Sequence, residues 1–244
     1  MMRYDFYHWI RSRKAFFLFF IISICSLVAT LSTYYAKDII NTLGTTGAKV
    51  MLQEVHWRDI LSSYFKITSQ ICLFTAIYLT SSECQLGRVE SEKLFYQTRM
   101  KRGGKVLLSK VLTSAIINLI SICFGGILAL YTTWAMYSTM NFEKTLLALT
   151  IQSLSFVCFT LLGNAISCYL TPFVSAMILE VLILFSSLIE QLRFLGHWSP
   201  FTLLTPNNIL NNLEIKDLSM KLISSFLIIL ISLSLIWFKP VKQH

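Results

Sequence analysis

The chain has 244 residues, 55% of them hydrophobic and 14% charged, with a net charge of +9 and a mean hydropathy of +0.64. Soluble domains average about 45–50% apolar and about 25% charged residues, so the composition excludes an ordinary soluble domain and marks an integral membrane protein. The positive balance calls for no nucleic acid, because basic loops facing anionic lipid give the same sum.

The first 14 residues, MMRYDFYHWIRSRK, set Phe6, Trp9 and Ile10 beside Arg3, Arg11, Arg13 and Lys14. This pattern predicts an amphipathic elbow helix over 1–14, with its aromatic edge in the headgroups and its basic side in water. An aromatic anchor for the next span accounts for the same residues equally well. Six apolar runs follow, at about 15–35, 61–82, 106–135, 144–169, 172–190 and 219–238. Each is long enough to cross a hydrocarbon core, which needs roughly 20 residues, and together they leave one transmembrane domain, 1–244, with almost no room for a soluble one. The first run is too long for the h-region of a cleaved secretory signal, which has about 7–15 residues, and is read as a retained helix.

Lys and Arg near the span ends set orientation. With the N-terminus inside, the inner loops and ends hold 13 of them and the outer ones 7, leaving Lys66 uncounted within a span. Both termini are therefore expected to be cytoplasmic. The outer loop at 36–60 contains GTTGAKV, which lacks G-x-x-x-x-G-K-[ST] and so is no phosphate loop.

Between the second and third runs, residues 83–105 carry nine charges: Glu83, Arg88, Glu90, Glu92, Lys93, Arg99, Lys101, Arg102 and Lys105. At about 100° per residue, Leu86, Val89, Tyr96 and Met100 share one helical face, interrupted by Lys93, while Arg88, Glu92 and Arg99 lie opposite with Phe95 among them. A lone aromatic within a charged rim suits docking on a soluble partner. Gly103 and Gly104 then let the chain turn into the third span.

Further along, Gly125, Gly126 and Gly163 allow close helix packing, and Pro172 separates the fourth and fifth runs. Glu180 is the one carboxylate near mid-bilayer. It reads either as part of a translocation path for a cationic group or as a structural hydrogen-bonding group. Residues 191–218, semi-apolar and broken by Pro200 and Pro206, predict an external re-entrant segment of short helices buried against protein, with an ordinary external loop as the alternative. The six cysteines never occur as C-x-x-C and read as small apolar residues, with no disulfide or metal framework.

The loop resembles that of the permease subunit of ABC-2 type ABC transporters. Glu83 matches that family's first acidic position, Gly87 its glycine, Glu90 its second acidic residue, Leu94 and Phe95 its apolar pair, Thr98 its threonine and Lys110 the lysine opening the third span. Arg88 stands where threonine is usual and Arg99 where proline is usual. The order of six spans, the N-terminal elbow and SPFTLLTP before the last span are similar to the family as well. The resemblance implies an all-α fold of six transmembrane helices and a cytoplasmic coupling helix at 83–105. Glu83, Gly87, Glu90, Leu94, Phe95 and Arg99 then take part in coupling to a separate cytoplasmic ABC ATPase.

It further implies a second permease chain, identical or not, and a bacterial cytoplasmic membrane. Expected cargo is hydrophobic or amphipathic, such as antimicrobial peptides or drugs. No Walker A motif is present, so any ATP is bound by the partner and the chain itself carries no cofactor, metal or catalytic residue. A secondary transporter and a non-transporting membrane scaffold are the competing readings. An intramembrane protease is disfavoured because His8, His56, His197 and His244 all fall outside the spans.

Overall fold

In the computed structural model the described residues are 2–36, 55–84, 104–137, 139–186, 198–210 and 215–238. Among them every regular element is helical: α1 (Met2–Arg11), α2 (Lys14–Tyr34), α3 (Trp57–Ile67), a π-turn (Thr68–Cys72), α4 (Leu73–Cys84), α5 (Gly104–Met136), α6 (Phe142–Ser167), α7 (Pro172–Leu184), a 3₁₀ turn (Pro200–Leu203), α8 (Asn207–Leu210) and α9 (Ile215–Trp237). Among the described residues five helical stretches are long and apolar enough to span a membrane: Lys14–Tyr34, Trp57–Glu83, Val106–Met136, Phe142–Ser167 and Leu218–Trp237. The chain is thus an all-α, multi-pass membrane protein.

Local chemistry fixes several helix starts. The Asn141 side chain accepts from the Lys144 backbone N–H at 3.3 Å, and that of Thr171 from Val174 N–H at 3.4 Å, with Pro172 in the first turn. Asp59 accepts from the His56 N–H at 2.9 Å. Each such cap satisfies a donor that the helix leaves open, a contribution of about 1 kcal/mol.

α6 is the central helix: 67% of its most apolar stretch is buried inside the chain, against 28% for α2 and 22% for α9. Helix direction follows from specific contacts. α3 and α4 run parallel to α6, since Tyr64 shares a core cluster with Ala148 and Thr80 donates to Asn164 Oδ1 at 2.9 Å, a constant offset of 84 positions. α5 is antiparallel to α6: Asn164 Nδ2 donates to Ser114 Oγ at 3.4 Å, and Gly126 lies against Leu149. α2 runs parallel to α5, with Ser26 donating to the Gly125 carbonyl at 2.8 Å. α9 is parallel to α6, because Cys158 meets the Ser225 carbonyl and Tyr169 the Leu235 carbonyl.

Because α6 and α9 point the same way, the chain between them has to return across the bundle. Of the fifth predicted span only α7 is described, and its 13 residues measure about 20 Å at 1.5 Å per residue. The returning chain goes deep. Phe201 of the 3₁₀ turn stacks on Phe159 with ring centroids 5.1 Å apart, and Phe159 lies 17 residues beyond Phe142 in α6, about 25 Å along the axis. Leu210 then packs with Ala148, back toward the start of α6. The Pro200–Leu210 stretch therefore forms a loop inserted within the bundle, with Leu203, Leu204 and Leu210 buried.

Candidate functional site

The charged loop leaves α4 after Cys84 and re-enters at Gly104, and its stems are tied to the N-terminal segment, the first by Lys14 of α2 with His8 of α1 nearby and the second by Asp5 of α1. Arg13 makes this possible. Its φ of 58° places it in the left-handed region, which a non-glycine residue adopts only when the surroundings hold it there. The resulting turn separates α1 from α2 and lets α1 lie against α5 and α2. Trp9, 2% exposed, is the buried pin of that contact, packing into the core cluster that contains Leu18 and Ile22.

On the first stem, Glu83 Oε1 accepts a hydrogen bond from Lys14 Nζ, and its Oε2 lies 3.4 Å from His8 Nδ1. Lys14 also reaches Ser82 Oγ at 3.4 Å. Glu83 is 14% exposed at its side chain, so the carboxylate is largely shielded and already paired within the chain. On the second stem, Ser109 donates to Asp5 Oδ2 at 2.8 Å. The N-terminal segment, α1 together with the first residue of α2, therefore holds both ends of the loop, with its charges converging at the loop-side end of the bundle.

Of the residues predicted for coupling, Glu83 is at this junction. Gly87, Glu90, Leu94, Phe95 and Arg99 lie outside the described residues, and so does most of the predicted 83–105 coupling helix. Asp5, His8, Lys14 and Ser109 were not singled out as site residues by sequence reasoning. Lys14 was read there as a topology charge and as part of the basic side of the N-terminal segment, and nothing in the spacing links positions 5 and 109.

Glu180 is half-buried on α7, next to Leu179, whose Cδ1 stands 3.1 Å from where a Cβ on Gly163 would sit. Among the described residues it has no hydrogen-bond or ion-pair partner, so the structural hydrogen-bond reading gains no partner here. A separate polar knot does hold the bundle. Asn164, buried, accepts from Thr80 at 2.9 Å and from Ser81 at 3.2 Å while donating to Ser114. Three helices meet there through hydrogen bonds inside an apolar surround, where a lost partner is costly.

Among the described residues no group of three or more His, Cys, Asp or Glu side chains comes together to hold a metal ion. Compared with protein-family models, with curated proteins and with solved structures, the chain matches none.

Proposed function

We propose that the chain is the membrane-spanning permease subunit of an ATP-driven exporter of the ABC-2 type, energised by a separate cytoplasmic ATPase. The observation that carries this reading is the pair of ties, Lys14 of α2 to Glu83 and Asp5 of α1 to Ser109, that hold the two loop stems. A loop that merely satisfied topology needs no fixed stems, whereas a lever that transmits force to α4 and α5 does. Lys14–Glu83 and Asp5–Ser109 give residues 85–103 a rigid base, and Glu90, Leu94, Phe95 and Arg99 are the positions proposed to meet the partner.

In this reading the N-terminal helix lies in the cytoplasmic interface with Tyr4, Tyr7, Arg3 and Arg11 outward, all of them exposed. The chain crosses six times, and residues 191–218 form the external re-entrant segment. Two permease chains work with two ATPases, and Glu180 lines the path of a hydrophobic or amphipathic substrate in a bacterial cytoplasmic membrane. ATP-driven closure of the partners rearranges the two permease chains through the loops.

The test is purification of the tagged chain from its native membrane in mild detergent. An ATPase recovered in stoichiometric amount, and lost when residues 85–103 are replaced by a neutral linker, is the expected outcome. A chain that emerges alone and without ATP hydrolysis overturns the reading in favour of a secondary transporter or a scaffold.

A further inference from the structure

Three contacts fix the rotation of α1. Trp9 is buried in the bundle core, Asp5 accepts from Ser109 at 2.8 Å, and His8 Nδ1 lies 3.4 Å from Glu83 Oε2. At about 100° per residue, Arg3, Tyr7 and Arg11 then form one stripe on the face opposite Trp9, and Phe6 and Ile10 take the flank opposite His8. All five side chains are exposed. Composition alone put Phe6, Trp9 and Ile10 in the headgroups and the basic side in water. Burial of Trp9 turns the helix instead, so that the arginines and Tyr7 come round to the outer face of the bundle.

The same region fixes the depth of α1, which meets the ends of three spans. Lys14 opens Lys14–Tyr34, Glu83 closes Trp57–Glu83, and Ser109 stands near the start of Val106–Met136. α1 therefore lies where hydrocarbon gives way to headgroups. Its His8 flank turns to Glu83 and the stem of the charged loop, hence to water. That leaves the flank of Phe6 and Ile10 toward the acyl chains and the Arg3, Tyr7 and Arg11 stripe between the two, level with the lipid phosphates. An apolar flank beside a basic stripe is what holds a helix in the plane of the interface. Lys14 is committed to Glu83, so the outward positive charge of the segment rests on Arg3, Arg11 and Arg13, all exposed.

We propose that the stripe of Arg3, Tyr7 and Arg11 is a binding site for anionic phospholipid in the leaflet on the loop side of the bundle. A guanidinium is a planar fork that matches two phosphate oxygens at once, and Tyr7 offers a hydroxyl donor between the two forks. Arg3 and Arg11 stand about 12 Å apart along the helix axis, so each can take a phosphate of its own. A zwitterionic headgroup offers the same phosphate but brings a cation with it, which the arginines disfavour. The site needs no ATPase partner, so its failure leaves the co-purification result untouched.

The experiment is intact-mass titration of the full chain in detergent with dioleoyl phosphatidylglycerol and, separately, with dioleoyl phosphatidylcholine, counting the lipids retained per chain. Expected is binding of the first phosphatidylglycerol about tenfold tighter than phosphatidylcholine, as two basic groups at an anionic surface give, falling to about twofold or less in Arg3→Gln/Arg11→Gln. Arg3→Lys/Arg11→Lys is expected to recover most of the preference, and an unchanged unfolding temperature in both variants shows that the fold is intact. Arg58→Gln/Lys144→Gln removes the same charge at the starts of α3 and α6, at the opposite end of the bundle, and should keep the preference. Equal affinity for the two lipids, an unchanged preference in Arg3→Gln/Arg11→Gln, or an equal loss in Arg58→Gln/Lys144→Gln overturns the site. So does full competition by inorganic phosphate, which assigns the stripe to a water-soluble anion.

Discussion

Lys14 and Glu83, 69 positions apart in the chain, form an ion pair that joins the start of the first long helix to the last turn before the charged loop. With side chains 31% and 14% exposed, the pair falls between a surface bridge, about 0.2–1 kcal/mol, and a buried one whose rupture costs about 3–5 kcal/mol. Charge reversal at either residue, Lys14→Glu or Glu83→Lys, is expected to destabilise the detergent-solubilised protein by about 1–3 kcal/mol. The double exchange should recover most of that loss. Thermal unfolding of the three variants checks it, and a double variant no better than the singles removes the pair as a structural tie.

The glycines give a sharper contrast. A Cβ on Gly163 would lie 2.6 Å from Ile77 Cγ2 and 3.1 Å from Leu179 Cδ1, and one on Gly125 would lie 2.5 Å from Ile22 Cγ2. Isoleucine is stiff at χ1 in a helix, so neither neighbour gives way easily. Overpacking of this kind costs about 1–3 kcal/mol. Gly163→Ala and Gly125→Ala should each lower the unfolding temperature. Gly126→Ala meets nothing closer than 3.4 Å and is expected to be neutral, and the same assay on all three decides it.

Asn164 bonds Thr80, Ser81 and Ser114 at once. Hydrogen bonds between membrane helices average about 0.6 kcal/mol each, so Asn164→Leu is expected to cost roughly 1–2 kcal/mol. Thr80→Val removes one donor and should cost less than half of that. Denaturant titration in mixed micelles measures both, and equal losses in the two variants contradict a shared acceptor.

In the loop itself, Glu90→Lys or Phe95→Ala should leave the unfolding temperature unchanged while reducing export and partner-dependent ATP hydrolysis by tenfold or more. Export assays in vesicles containing the partner make the comparison. Normal export by both variants would exclude these positions from docking.

Much of this was legible in the sequence because it depends on local composition. Apolar runs of about 20 residues have to become helices in lipid, where every backbone polar group needs an internal partner. The pattern around Trp9 allowed a separate helix or an aromatic anchor equally and put Trp9 in the headgroups, whereas it is buried in the protein core at 2% exposure; the prolines at 200 and 206 pointed to an interrupted segment.

What the sequence did not disclose is which polar residues meet. Ser109 is one of many serines on apolar helices, and only the turn at Arg13 brings Asp5 to it. Lys221 looked like an outer-loop charge by its place near the start of the last apolar run. Packing of α9 on α6 buries it instead, at 9% exposure. Hydrophobic patterning selects a face and a length, but depth and rotation come from packing. Gly163 against Ile77 and the Asn164 knot lock α4 to α6, and that tertiary register decides which buried groups find partners.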